Sequence, residues 1–247
     1  MPASALLIGA SVASLNLCTD EYLLLLARRN EIASVSFLAQ DRHESPLWRS
    51  ARGHHSNRGS IEDVLTRRPS MVLTMGGGGR ATRLLARRLS IRSVEIVSPT
   101  SFDDVARNLR VVAAAVGEPR RADPWLARLA RLQASRPAAA RDTLWLSGGG
   151  QTITAGSIGA QWLRLAGLEQ RDVPGGRASL ETLLLRPPSV LVRSRYRTGQ
   201  VSNVARWLDH PIVRNVRARQ LTTDGRAWTC MGPLMIAEIE RLRAALR

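Results

Sequence analysis

The chain has 247 residues, is 44% apolar, and carries 36 basic residues against 20 acidic ones, for a net charge of +16. That length and apolar content supply a core for one large or two compact domains and exclude a disordered polyelectrolyte, while no apolar run reaches the roughly 18 to 20 residues of a membrane-spanning helix. Every basic residue is Arg, scattered in pairs such as Arg28-Arg29, Arg67-Arg68, Arg87-Arg88 and Arg120-Arg121, with two Tyr and two Phe available to stack on bases, so nucleic acid is the weaker partner class.

At the start, Met1-Pro2-Ala3-Ser4-Ala5 has no basic or long apolar region, yet Ala3-Ser4-Ala5 matches the small-residue tail of a secretory signal. The expectation is a chain that begins near a cleavage site, with an ordinary cytoplasmic N-terminus as the alternative. Residues 11–17 then read as a strand, 19–29 as a helix and 32–37 as a second strand. From Ser60 the chain shows an N-cap, a short amphipathic helix stopped at Pro69, and a buried strand over 71–74. Helical spacing of apolar residues covers 102–116 and 122–135, broken at Gly117-Glu118-Pro119, and 136–140 form a Pro/Ala linker. A helix of about 14 residues spans about 21 Å, long enough to bridge two lobes. Residues 143–147 predict a strand, 157–165 a helix ending at Gly167, and 169–173 an extended segment.

The most informative pattern is a repeat, since residues 60–73 realign on 179–192 at a constant offset of 119. Both copies read as Ser cap, helix, proline stop and branched apolar strand. Strands alternating with helices imply parallel sheets, so the predicted fold is α/β, with two Rossmann-like lobes joined by a long helix and a ligand cleft between them. The boundaries read as an N-terminal lobe over 1–101, a helical bridge and linker over 102–140, and a C-terminal lobe over 141–247.

Open parallel sheets bind ligands beyond the carboxyl ends of their strands, where helix N-termini and loop backbones converge. That rule nominates Asn16, Cys18 and Thr19 after the first strand, and Met75, Gly76, Gly77 and Arg80 after the strand at 71–74. In the second half it nominates Gly149, Gly150 and Gln151, then Arg195, Tyr196 and Arg197. Glycines admit a ligand close to the backbone, and arginines pair with anionic groups. Any one of these loops alone reads as a flexible turn with solvated arginines; the four at equivalent places read as a cleft.

Signals for catalysis or a resident metal are poor. His43, His54, His55 and His210 form no metal spacing, there is no GxSxG elbow or HExxH, and the absence of Lys rules out a P-loop. Cys18 and Cys230 form no CxxC. If Cys18 ends the first strand and Cys230 opens the final helix, a disulfide between them is one reading, and two separate buried thiols are the other.

The sequence resembles the class III periplasmic substrate-binding proteins of ABC importers, which carry cobalamin, ferric siderophores or heme. The residues that carry the resemblance are Val12-Ala13-Ser14-Leu15-Asn16-Leu17-Cys18-Thr19-Asp20, residues 59–73 and 180–192, Trp207-Leu208 before His210-Pro211, and Trp228-Thr229-Cys230-Met231-Gly232-Pro233. Ser70 and Ser189 stand where many members have Asp after the proline. The resemblance implies a monomeric periplasmic protein that catalyses nothing, needs no cofactor, carries a metal chelate as cargo and docks on an importer permease. It implies docking through Glu62 and Glu181, and it adds Trp48 and Trp228 as aromatic walls for a corrin ring or an aromatic chelate. A corrinoid or ferric siderophore is the favoured cargo. Heme needs an axial ligand, for which Tyr196 is the candidate, while Tyr22, Trp125 and Trp162 read as core. The rival class is a basic cytoplasmic regulatory or nucleic-acid-binding module.

Overall fold

A computed structural model of the chain describes residues 11–76, 80–196 and 203–247. The chain divides into two compact units, one of Met1–Ser98 and Asp103–Leu126, the other of Pro99–Phe102 and Ala127–Arg247. Among the described residues no helix is long and apolar enough to cross a membrane.

In the first unit β1 (Val12–Ser14) leads into α1 (Leu17–Leu26). The strand expected over 11–17 stops early because Asn16 caps the helix. Its Oδ1 accepts from the backbone N–H groups of Cys18 and Thr19 at 3.1 and 3.0 Å, while Thr19 Oγ1 accepts from the Asn16 N–H at 3.2 Å. Cys18 therefore lies in the first helical turn and does not end a strand. There follow β2 (Ile32–Ser36), α2 (Phe37–Gln40), α3 (Trp48–Ala51), β3 (Ser56–Asn57), α4 (Ile61–Val64), β4 (Met71–Met75), α5 (Arg80–Arg88) and β5 (Arg92–Ile96). The five strands are all parallel, in the order β3-β2-β1-β4-β5. Ile61 and Val64 of α4 and Ala86 of α5 pack on Ala13 and Val72, so both helices cover one face of the sheet. α6 (Phe102–Ala115) is tied to the end of β5 by Asn108, whose side chain accepts from the Val97 N–H at 3.1 Å and donates to its carbonyl at 2.7 Å. Tyr22 is fully buried beside it, as expected of a core residue, and that burial raises its phenol pKa.

α7 (Asp123–Ala134) contains the boundary between the units. The second unit continues through β6 (Arg141–Leu146), α8 (Ile158–Leu165), β7 (Leu168–Gln170), α9 (Leu180–Leu185), β8 (Val190–Arg195), α10 (Asn203–Arg206), α11 (Pro211–Asn215), β9 (Arg219–Asp224) and α12 (Leu234–Leu246). Its four strands are again all parallel, in the order β7-β6-β8-β9. Trp162 is fully buried, donates from Nε1 to the Met231 carbonyl at 3.2 Å, and meets Phe102 edge-on with centroids 4.8 Å apart. Trp125, by contrast, is only half-buried. Cys230 sits in the turn before α12 and does not open that helix, and neither Cys18 nor Cys230 is a free thiol.

The repeat is visible as local geometry. Ser60 Oγ accepts from the Asp63 N–H at 3.2 Å and Ser179 Oγ from the Thr182 N–H at 3.0 Å, so α4 and α9 start from the same cap before β4 and β8.

Candidate functional site

Beyond the carboxyl ends of β6, β8 and β9 in the second unit lies a cavity of about 520 Å³, within the range of small-molecule sites. Its walls come from those strand ends and from the α10 segment: Trp145 in the last pleat of β6 and Ser147 just after it, Arg195 and Tyr196 at the end of β8, Val204 and Leu208, and Trp228 after β9. Trp145 and Trp228 stand with ring centroids 5.3 Å apart at 48°. Both are more than nine-tenths buried, whereas Tyr196 is 38% exposed. The wall is therefore aromatic and apolar, with a phenol at a more accessible position.

Two hydrogen-bond networks hold the tryptophans. Trp228 donates from Nε1 to Thr223 Oγ1 at 2.6 Å; Thr223 in turn donates to Glu238, which Arg241 grips at 3.0 and 2.6 Å. The backbone of Trp145 is fixed by Gln170, whose Oε1 accepts from the Trp145 N–H at 3.0 Å, and by Thr152, which donates to the Trp145 carbonyl at 2.6 Å. Gln170 Nε2 closes the ring by donating to Thr152 at 2.9 Å. Trp145 Nε1 itself is buried without a hydrogen-bond partner among the described residues. Two arginines near the cavity are paired: Arg195 with Asp209, and Arg226 with Asp224 through contacts of 2.9 and 2.6 Å. Arg195 holds the Asp209 carboxyl below the usual carboxylate range, chiefly by donating hydrogen bonds to it. The neighbouring Arg193 is shifted down by burial, with the positive charge of Arg195 adding to the effect.

No family model matches the chain, and no curated protein matches it in sequence. Solved structures do. HutB of Vibrio cholerae, described as a periplasmic heme-binding protein, superposes with a TM-score of 0.73 at 17% identity, covering 96% of this chain and 98% of that one. The chain has the fold of class III periplasmic binding proteins. The periplasmic heme-binding protein RhuT from Roseiflexus sp. RS-1 gives 0.70 at 20% identity over 97% of this chain and 100% of its own. BtuF of Vibrio cholerae, described as a periplasmic vitamin B12 binding protein, gives 0.64 at 16% identity over 96% of each chain.

On this class III fold, the cavity gathers Gln151, Arg195, Tyr196 and Trp228 of the residues nominated from sequence. Others are engaged elsewhere. Thr19 is fully buried with its hydroxyl 2.6 Å from Ser14 Oγ and bonded to the Asn16 carbonyl, so it has no surface for a ligand; Asn16 is occupied as the α1 cap. Gly149 and Gly150 are buried and turn the chain with φ of +69° and +77°. A Cβ on Gly150 would come 2.4 Å from the Ala178 carbonyl oxygen, so close packing within the chain, and not ligand approach, explains that glycine. Trp48 starts α3 with the Arg49 and Arg52 guanidinium groups 4.8 and 5.5 Å from its ring centroid, which already supplies cations to its face. Met75 is half-buried and Gly76 exposed after β4. Gly77 and Arg197 lie outside the described residues, as does the side chain of Arg80. Sequence reading missed Trp145, Leu208 and Val204. Trp145 lies at the centre of the strand read from sequence over 143–147, whereas Val204 reaches the site through a segment with no periodic signal.

Proposed function

We propose that this chain is a periplasmic solute-binding protein that delivers a metal chelate to an ABC importer and catalyses no reaction itself. The observation that carries this reading is the aromatic-walled cavity at the strand ends of a class III fold. A chelate presents apolar or conjugated surface around a metal whose ligands it brings with it, and Trp145, Trp228 and Leu208 offer surface of that kind. Cysteines that are not free thiols fit an oxidising compartment, and the solved structures of this fold named above are described as periplasmic.

Within that reading a corrinoid or ferric siderophore is the finer assignment. A second reading, heme, is favoured by one observation: Tyr196 lines the same cavity and is 38% exposed, and a phenol is one of the side-chain groups that can hold heme iron. A thermal-shift screen against cobalamin, cobinamide, hemin and several ferric siderophores separates these, because a ligand of the native state raises the melting temperature. The proposal requires that at least one chelate stabilise the chain; a screen in which none does, at concentrations far above those used by binding proteins, removes it.

The permease contact falls to Glu62 and Glu181. Each is exposed in the first turn after its Ser cap, at matching places in the repeat, and neither has an ion-pair partner among the described residues of a protein crowded with arginine. The helix dipole favours a carboxylate there by about 0.3 to 1 kcal/mol, which accounts for either one alone; their recurrence without a partner fits docking on a basic surface. The Glu62→Gln/Glu181→Gln double variant is expected to lose uptake while keeping cargo affinity, and normal uptake by it refutes the docking role.

A further inference from the structure

The net charge of +16 is not absorbed by cargo binding or by two docking glutamates. In the first unit much of it gathers at the amino-terminal edge of the sheet, where β4 and β5 begin in register at Met71 and Arg92. Arg67 and Arg68 come from the segment after α4, Arg87 and Arg88 end α5, and Arg92 opens β5. All five are exposed, and none has an ion-pair partner among the described residues. Arg68 holds the left-handed conformation at φ +46°, where Gly or Asn is the ordinary choice, so an arginine stands there against the local backbone preference. Exposed leucines accompany this charge: Leu65 and Leu89 are 37% and 40% exposed.

The second unit carries the same combination at the same edge. Leu184, the repeat counterpart of Leu65, is 59% exposed and Leu185 is 74% exposed. Arg186, the counterpart of Arg67, follows directly, and Arg214 and Arg217 precede β9; all three are exposed without an ion-pair partner among the described residues. Beside them an apolar groove of about 350 Å³ is lined by Leu184, Pro187, Pro211 and Ile212.

We propose that the amino-terminal edge of each sheet is a contact surface for an anionic phospholipid bilayer. The chemistry needed is both parts together. Unpaired guanidinium groups attract phosphate headgroups, and leucines projecting among them enter the interfacial layer, where apolar side chains leave water. A nucleic-acid duplex satisfies the arginines alone and leaves the leucines in water. The surface stands at the opposite ends of β8 and β9 from the cavity residues Arg195 and Trp228, so a bilayer contact there leaves the cavity's own walls untouched. The inference does not depend on which cargo the cavity holds.

The test is co-sedimentation of the full chain with vesicles of phosphatidylcholine, alone or with about 30% phosphatidylglycerol, at about 0.15 M salt. Wild type is expected to bind only the anionic vesicles. Each arginine at the contact contributes about fivefold to partitioning, so Arg67→Gln/Arg87→Gln/Arg88→Gln and, independently, Arg186→Gln/Arg214→Gln/Arg217→Gln each lower it on the order of a hundredfold. The control Arg110→Gln/Arg120→Gln/Arg131→Gln removes the same charge from other exposed positions and is expected to cost less than about fivefold. Leu184→Ser/Leu185→Ser is expected to abolish the binding that survives high salt. Equal losses in the control, no preference for phosphatidylglycerol, or full displacement by duplex DNA at matched phosphate overturns the proposal. The cargo-induced thermal shift, measured on the same variants, is expected to be unchanged, which shows the variants folded and keeps the cargo assignment separate from this one.

Discussion

Each unit is a parallel sheet whose repeat helix starts from a serine cap, yet the carboxyl ends of the two sheets are finished differently. In the first unit, polar side chains tie the strand ends to one another, beside a pocket of about 610 Å³ lined by Phe37, His55, Ser56, Asn57, Arg58 and Asp63. Asn57 Nδ2 donates to the Ser14 carbonyl and to Ser34 Oγ, each at 2.9 Å, and Asp20 accepts from both the backbone and the hydroxyl of Ser36. In the second unit the corresponding region opens into a cavity walled by Trp145, Tyr196, Trp228 and Leu208. A shared repeat therefore fixes caps, strand order and register, whereas the loops at the strand ends decide what lines the space beyond them: His55, Asn57, Arg58 and Asp63 in the first unit, two tryptophans and Leu208 in the second.

Four substitutions probe that contrast, from the largest expected effect to the smallest. Trp162→Ala removes a fully buried indole and its bond to the Met231 carbonyl, immediately after the turn that contains Trp228. Urea denaturation is expected to show a loss of about 3 to 5 kcal/mol; a loss below about 1 kcal/mol would mean that the second unit does not rest on this residue.

Asp20 tests the polar strand end of the first unit through pH. Burial pushes its carboxyl up to about 7, against hydrogen bonds from Ser36 and Ser14 that pull the other way. A carboxyl whose folded pKa exceeds its unfolded value favours folding in its protonated form. Its contribution is full below about pH 4 and is lost as pH rises through about 7. Asp20→Asn is expected to flatten the pH dependence of stability across that window, and an unchanged profile would show that Asp20 is not the group responsible.

The smallest effects compare the repeats directly. Ser60→Ala and Ser179→Ala each delete one side-chain cap of nearly equal length, so each is expected to cost about 1 kcal/mol. Widely different costs in chemical denaturation would show that the two copies are equivalent in sequence only.

How much of this was legible in the sequence follows the same division. The alternation of strands and helices, both serine caps and the core positions of Tyr22 and Trp162 were readable, because periodicity and capping are local. Asn16 is visible too, but its effect differs from the expectation: as a cap it ends β1 at Ser14 and draws Leu17 and Cys18 into the helix expected to start at Thr19. The glycine run was read as an approach for ligand, whereas the contact that demands Gly150 is with the Ala178 carbonyl, 28 residues away in the chain. Of the cavity residues, Arg195, Tyr196, Gln151 and Trp228 followed from the rule about strand ends and from the family resemblance. Val204 and Leu208 did not, since they reach the cavity through tertiary packing of the α10 segment.

The central claim is that the cavity of the second unit holds the cargo. It is tested most directly by equilibrium titration of the chain with whichever chelate stabilises it, comparing wild type with Trp228→Ala and Arg195→Ala. Trp228 is a buried aromatic wall and Arg195 a charged one, so the account predicts a loss of affinity of roughly tenfold to a hundredfold for the first and about tenfold for the second, with both variants still folded. Wild-type affinity in both folded variants would contradict it and move the cargo away from this cavity.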